Sequence, residues 1–353
     1  MKKEKMKALI FVAPGKMELV QKPIPSPGPT DAVIRITTTT ICGTDVHIIK
    51  GEYPVQSGLT IGHEPVGVIY KLGSAVTGYQ LGQRVIAGAI TPCGQCGSCL
   101  EGTHSQCGGK PMGGWRFGNT IDGAQAEFLL VPNAMANLAL VPDHLSDEEV
   151  LMCPDIMSTG FSGAESGKVK IGDSVAIFAQ GPIGLCATAG ARLSGAGLII
   201  VVDSIESRLK MAQHVGADIT INFKEKDPVK SIMEATNGRG VDVAIEALGT
   251  EKTFQYCMQV LKPGGTLSSL GVYANDIHIP VSAFSSGLGD QKIITTLCPG
   301  GKERMRRLMG MISSKRVELK PMVTHRFKLD QIIEAYDVFS NQRDGVLKVA
   351  ITT

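Results

Sequence analysis

Four thiols crowd one short stretch of the chain: Cys93, Cys96, Cys99 and Cys107 fall within fifteen residues of PCGQCGSCLEGTHSQCGG. Thiolates at this spacing can surround one tetrahedral zinc ion while the glycines let the backbone turn around it, and four sulfurs leave no position open to a substrate. The chemistry expected here is structural. A redox CxxC pair and an iron–sulfur cluster use the same ligand type, but this cluster sits in a loop and not at the strand-to-helix turn where thioredoxin-like pairs work.

A second set is dispersed. Cys42 stands in ICGTDVH, His63 and Glu64 in IGHEPVG, and Asp155 in MCPDIMSTG. Taken singly, a cysteine is most often a small buried hydrophobe and a histidine a hydrogen-bonded packing residue. Taken together, a thiolate, an imidazole and a carboxylate around zinc leave a labile fourth position, as a Lewis acid needs to polarise a carbonyl or acidify an alcohol. Asp45 is placed to accept from the histidine and fix its tautomer. Glu64 is open to two roles, an occasional ligand or an ion-pair partner.

A third chemistry is written where the run Ser174 to Phe178 meets Ala179-Gln-Gly-Pro-Ile-Gly184 and a stretch of small residues. At such a turn Gly181 lets the backbone approach a pyrophosphate, Pro182 and Ile183 open a helix whose N-terminus carries free N–H groups, and Gly184 lets that helix pack on the strand. Ala179 departs from the first glycine of GxGxxG. Asp203, 22 residues after Gly181, ends the next apolar run, where an acidic side chain can accept from both ribose hydroxyls of NAD. It would repel a 2′-phosphate, so NAD is preferred, while Arg208 over the adenosine would allow some NADP use.

These residues need elements to hold them. Up to about residue 155 the chain reads as short strands broken by Gly and Pro: Lys7 to Val12, Asp31 to Thr37, Pro65 to Leu72, Arg84 to Ala87 and Ala126 to Val131. From about Ser158, strands at Ser174 to Phe178, Leu198 to Val202, Ile219 to Asn222, Val241 to Glu246 and Thr266 to Gly271 alternate with helices from Ile183, at Arg208 to Val215 and at Thr253 to Leu261. That alternation predicts βαβ units and a parallel sheet covered on both faces. The last fifty or so residues are mixed, with helices at Glu303 to Ser313 and Leu329 to Phe339, the run Val323 to Phe327 and a strand at Gly345 to Ile351, and could complete the first domain.

Composition narrows the class. A chain of 353 residues suggests two domains at roughly 150 residues each, and 43% hydrophobic residues with a net charge of +2 exclude a disordered chain and a field that gathers nucleic acid or anionic membrane. Aromatics are only 5%, with one tryptophan, so no base-stacking platform is expected. No apolar run approaches the ~18 residues of a membrane span, and MKKEKMKALI lacks the apolar core of an export signal. With nine cysteines, an odd number, the expectation is a cytoplasmic protein.

With GHE at 62–64, the four-cysteine loop, PDIMSTGFSGAE at 154–165, GPIG at 181–184 and LCPGG at 297–301, the sequence resembles the zinc-containing medium-chain alcohol dehydrogenases, most closely the microbial secondary-alcohol branch. The likeness runs nearly end to end. It implies an α/β fold: a GroES-like irregular β-barrel catalytic domain, residues 1–157 and 298–353, with an inserted Rossmann doubly wound parallel-sheet domain at 158–297. It also implies two zinc ions per chain and a homotetramer. The catalytic zinc would lie on Cys42, His63 and Asp155, with Glu64 beside it, and the structural zinc on Cys93, Cys96, Cys99 and Cys107. Asp155 takes the position of the second cysteine in Cys₂His members and is preferred to Cys153, the competing candidate two residues earlier.

The resemblance further implies that Thr44 passes the substrate proton through the cofactor ribose to His47, an imidazole able to exchange with solvent near neutral pH. Thr159 would pack beside the nicotinamide, Gly271-Val272-Tyr273 would present backbone groups to its carboxamide, and Trp115 would line the substrate pocket. The NADP-dependent secondary-alcohol relatives lack the four cysteines that this chain keeps. The expected reaction is hydride transfer between nicotinamide and a small, secondary alcohol or its ketone. A polyol, butanediol or threonine dehydrogenase on the same scaffold is the alternative, and a non-catalytic zinc-binding redox sensor the alternative of another class.

Overall fold

Short β-branched runs separated by turn residues build the first part of the chain. In the computed structural model, which describes residues 4–353, they form β1 (Lys5–Ala13), β2 (Lys16–Pro23), β3 (Ala32–Thr40), β4 (Val66–Leu72), β5 (Arg84–Ala87), β6 (Phe128–Val131) and β7 (Leu138–Leu140). The parallel-type strands follow as β8 (Ser174–Phe178), β9 (Leu198–Asp203), β10 (Ile219–Asn222), β11 (Val241–Glu246), β12 (Leu261–Ser269) and β13 (Lys292–Thr295), and the chain closes with β14 (Val323–Lys328) and β15 (Lys348–Thr352). The chain divides into two compact units, Met1–Ser158 with Cys298–Thr353, and Thr159–Leu297.

In the first unit the strand order is β14-β15-β3-β4-β5-β7, with β6 also on β3, beside a two-stranded β1-β2 ribbon. β15 lies antiparallel to β3, pairing Ala350 with Thr40, so the last residues of the chain complete a sheet begun by its first forty. Alternate residues of β3 and its neighbours, among them Ile34, Ile36, Ile69, Val85 and Leu129, fill the core around Phe117.

In the second unit all neighbours are parallel, in the order β10-β9-β8-β11-β12-β13. The first strand thus sits centrally and the order reverses beside it, the arrangement of a Rossmann sheet with its ligand crevice at the strand ends. β8 is buried on both faces, which explains its unbroken apolar sequence SVAIF. Helices Pro182–Leu193, Glu206–Val215, Pro228–Ala235 and Glu251–Val260 follow successive strands.

Several elements differ from the pattern read in the sequence. β2 (KMELVQKP) has no fully buried residue, so its alternation is too polar to stand out. The helix Pro228–Ala235, absent from the sequence pattern, is started by Asp227, whose carboxylate caps Lys230 N–H at 2.8 Å. β12 begins at Leu261, five residues early: its ladder to β11 is interrupted between Leu261 and Thr266, where Pro263, Gly264 and Gly265 bulge out. It ends at Ser269, leaving Gly271 in the following loop. The helix foreseen from Leu329 opens as a tight turn, Leu329–Gln331, and is regular only over Ile332–Ser340. Among the described residues no helix is long and apolar enough to cross a membrane.

Candidate functional site

Cys42 ends the extended segment after β3 and precedes the short helix Gly43–Ile49; its N–H donates to the Asp45 carboxylate at 2.9 Å, which fixes the start of that helix. His63 and Glu64 follow Gly62, whose φ of +93° is one that a side chain would strain. Asp155 comes from a single π-helical turn, Cys153–Met157. These elements bring one donor atom each from Cys42, His63, Glu64 and Asp155 within 4.8 Å of one another, the first three buried and the Asp155 side chain 12% exposed. Asp155 Oδ2 lies 3.4 Å from Cys42 Sγ and 3.3 Å from His63 Nε2. Donors on a tetrahedral zinc at its usual bond lengths stand roughly 3.3–3.8 Å apart, so this set fits the ion.

The same cluster carries buried polar atoms that protein groups leave unpaired: Glu64 Oε2, His63 Nδ1 and Asp45 Oδ1. Glu64 is an ion-pair partner, its Oε1 accepting the buried Lys348 ammonium at 2.6 Å, while its Oε2 has no protein partner and one of its carboxylate oxygens lies within the donor set. His63 Nδ1 is 3.3 Å from Asp45 Oδ1, near but not aligned as a hydrogen bond. Burial opposes protonation of His63, yet the Asp45 charge and the Asp155 carboxylate hold its pKa well above the usual imidazole value. Burial pushes the Cys42 thiol up, with Asp155 adding to it. A bound cation reverses such a bias and takes the thiolate.

The structure separates Asp155 from Cys153, which an extended segment would have placed on one face. The segment is helical, and in a π turn residues two apart diverge; Cys153 is fully buried, its thiol 3.7 Å from Met157 Sδ and held protonated by burial.

Around this centre Thr44 Oγ1 stands 3.7 Å from Cys42 Sγ. His47, one turn along the same helix, is exposed and pairs with Glu52. Trp115 is buried, edge-on to His63 at 6.2 Å between ring centroids, with its indole N–H on Phe117 O at 3.1 Å. Tyr53, which the sequence did not single out, packs edge-on to both Trp115 (5.7 Å) and His47 (6.1 Å). A tyrosine six residues from His47 and sixty-two from Trp115 carries no local signal of that stack.

The four-cysteine loop is gathered as its spacing suggested. Cys93, Cys96, Cys99 and Cys107 place their sulfurs within 4.8 Å of one another, and none forms a disulfide. Backbone N–H groups of Cys93, Cys96 and Gly108 donate to Cys107, Cys93 and Cys96 sulfurs at 3.1–3.4 Å. The Gly108 N–H leads in lowering the Cys96 thiol to about 6, whereas burial pushes Cys99 up to about 12. Backbone donors aimed at sulfur suit thiolates on a closed metal site.

In the second unit, β8 runs into Ala179 at φ +72° and then Gly181, the residue before helix Pro182–Leu193. A Cβ on Gly184 would collide with the Ala179 carbonyl, while one on Gly181 would meet nothing within 4 Å, so the turn is closed behind and open in front, as a phosphate cradle requires. Asp203, at the end of β9, is buried and accepts N–H groups of Gln180 (2.7 Å), Ser204 (2.7 Å) and Ile205 (3.0 Å). One lone pair of Oδ2 stays available. Arg208 lies 3.9 Å from that oxygen.

Thr159 is buried, its carbonyl accepting from Ser162 Oγ at 2.7 Å. Val272 is exposed, and Tyr273 turns its hydroxyl to Ser269 (2.7 Å) and Glu246 (2.8 Å). Gly249, at φ +93°, lets its loop lie against the Val272 backbone.

Two families match successive parts of the chain. Residues 28–143 match the alcohol dehydrogenase GroES-like domain family and residues 182–314 the zinc-binding dehydrogenase family. An alcohol dehydrogenase of Cupriavidus necator is 63% identical, with 98% of each chain covered. An NADP-dependent isopropanol dehydrogenase of Thermoanaerobacter brockii is 36% identical over 98% of this chain and 99% of its own. Among solved structures, an alcohol dehydrogenase from Thermus sp. superposes with a TM-score of 0.90 at 31% identity, covering 98% of this chain and 99% of that one.

Proposed function

The chain belongs to the zinc-type medium-chain alcohol dehydrogenases, and from that premise we propose that it interconverts small secondary alcohols and their ketones with NAD(H) as the preferred cofactor. The observation that carries this is the buried convergence of Cys42, His63, Glu64 and Asp155 donors within 4.8 Å. Cys42, His63 and Asp155 would hold zinc, with Glu64 shared between the metal and Lys348. When bound, zinc supplies the Lewis acidity that polarises the substrate oxygen, and nicotinamide accepts or returns the hydride.

The chain's own residues supply the rest. Thr44, beside Cys42, accepts the hydroxyl proton of the substrate as its own hydroxyl gives one up, and the exposed His47 exchanges a proton with solvent. Trp115, stacked edge-on to His63, forms an apolar wall that favours short aliphatic substituents over hydroxylated ones, because an unpaired hydroxyl against it loses its water. In the second unit Gly181, Pro182, Ile183 and Gly184 would cradle the pyrophosphate and Asp203 the ribose, with Thr159, Val272 and Tyr273 nearer the nicotinamide. The Asp203 carboxylate supports NAD, and Arg208 beside it supports some use of NADP, the cofactor in the printed name of the Thermoanaerobacter brockii relative.

The four-cysteine loop would carry a second, structural zinc. Nine cysteines, none of them in a disulfide, suit a reducing, cytoplasmic setting. A homotetramer is the assembly the secondary-alcohol branch suggests, measurable by light scattering. The test is cofactor-resolved kinetics over 2-propanol, 2-butanol, butanediol, threonine and sugar alcohols, with zinc assayed on the same sample. The highest kcat/KM for 2-propanol or 2-butanol with NAD and two zincs per chain is expected. A higher value for threonine or a polyol would overturn the substrate assignment.

A further inference from the structure

A buried polar chain leads away from His63. One Asp45 oxygen faces His63 Nδ1 at 3.3 Å; the other accepts from the Cys42 N–H at 2.9 Å and from the Gln125 side-chain amide at 3.1 Å. The same amide nitrogen donates to Thr40 O at 3.2 Å, and the Gln125 Oε1 accepts the Tyr336 hydroxyl at 2.8 Å. Asp45 and Gln125 have no exposed surface and Tyr336 is 1% exposed. The amide orientation follows from its partners: reversed, its oxygen would face a carboxylate and a carbonyl. Two apolar side chains would fill the same volume without any buried polar group to satisfy, so the polarity of this pair points to what it holds.

Gln125 is also tied to the segment that carries His63. Residues 123–125 run alongside 60–62, with Gly123 N–H on Thr60 O (2.8 Å), Ala124 N–H on Gly62 O (2.8 Å) and Gln125 N–H on Ile61 O (2.9 Å). A Cβ on Gly62 would fall 2.6 Å from Gln125 Cγ and 2.9 Å from its backbone nitrogen, so the glycine before the histidine leaves the volume that the glutamine fills. By its backbone Gln125 holds the His63 segment; by its amide it holds the carboxylate that His63 faces.

We infer that Gln125, anchored from behind by Tyr336, is a positioning residue that fixes the Asp45 carboxylate toward His63 and thereby sets how firmly the dispersed centre keeps its metal. This rests on the reading of Cys42, His63, Glu64 and Asp155 as a zinc site. The Gln125 amide and the Cys42 N–H together fix one oxygen of the carboxylate, which aims the other at the imidazole; partners one shell out from a metal commonly change its affinity by about 10–100-fold.

The experiment compares wild type with Gln125→Met, Tyr336→Phe and Asp155→Ala, following release of zinc to a chromogenic chelator together with total zinc and melting temperature. The four-cysteine ion is the internal control. Gln125→Met, which keeps the volume and removes both ends of the amide, is expected to release one of its two zincs about tenfold or more faster, and Tyr336→Phe a few-fold faster, with the other ion unchanged. Wild-type release in both variants overturns the inference, and so does equal acceleration of both ions, the mark of a loosened fold. Should Gln125→Met fail to fold, Tyr336→Phe carries the test alone. Asp155→Ala separates the two levels: if it retains both ions, the zinc reading falls and the inference with it, whereas loss of one ion there, with wild-type release in the other two, removes only the positioning role.

Discussion

The two cysteine-bearing clusters of the first unit are built in opposite ways. The four-thiol cluster is closed by one loop of fifteen residues, is partly open to water and is organised by backbone N–H groups. The mixed cluster joins Cys42 to Asp155 across 113 residues, lies buried, and is organised by side chains from still farther away, with Lys348 meeting Glu64 over 284 residues. A closed set of identical ligands needs only a loop able to curl. A set that leaves room for substrate needs a fold to prevent its charged donors from finding water or each other.

That contrast is broken most directly at Asp155. Asp155→Ala should lower kcat/KM roughly a thousandfold or more, equivalent to about 4 kcal/mol of lost transition-state stabilisation, with one zinc lost and the melting temperature within a few degrees of wild type. Retained activity would move the carboxylate role elsewhere and undo the comparison. Cys107→Ser should do the reverse. It should lose the other zinc and lower the melting temperature by on the order of 5 °C, while kcat of the folded protein at low temperature stays within about threefold. A kcat loss as deep as that of Asp155→Ala would mean that the two clusters do not divide structure from chemistry.

The dinucleotide turn sharpens the comparison because it is local like the thiol loop yet functional like the mixed centre. Asp203→Gly should shift the ratio of kcat/KM values toward NADP by roughly 10–100-fold through removal of a like charge. It should also lower the melting temperature, since that carboxylate accepts three backbone N–H groups. An unchanged cofactor ratio would defeat the ribose assignment. The smallest effect is expected at Ala179, whose φ of +72° a glycine adopts freely. Ala179→Gly should stabilise the protein by up to about 1 kcal/mol, a rise of roughly 2 °C in melting temperature by thermal unfolding.

Much of the fold was legible because its signals are local. The apolar run SVAIF followed by a glycine turn marks β8 and its helix, and the strands at Arg84–Ala87, Ile219–Asn222 and Val241–Glu246 have the limits their sequences suggest. What failed to show was either polar on both faces, as β2 is, or irregular, as β12 is around Pro263 to Gly265. Cys153 and Asp155, two apart, would share a face of an extended segment, and it is the π turn that sends them different ways. Lys348 did leave a trace, a lone charge in the apolar run Val346 to Ile351, and Gln125 another, a lone amide just before the run Ala126 to Val131 that reads as a strand. Each said that a buried partner exists, and neither said which.

The amino-acid sequence by itself determined the chemistry on offer: donors of the right kinds, glycines where a backbone must turn or approach closely, and an order of strands and helices that admits few topologies. These depend on neighbours along the chain, and spacing encodes them. Tertiary structure alone decided which donors converge and what stands behind them. The return of the C-terminal segment puts β15 on β3, brings Lys348 to Glu64 and carries Tyr336 to Gln125. Burial gives those contacts their weight, because a charge or amide removed from water must find its partner wherever the packed chain supplies one.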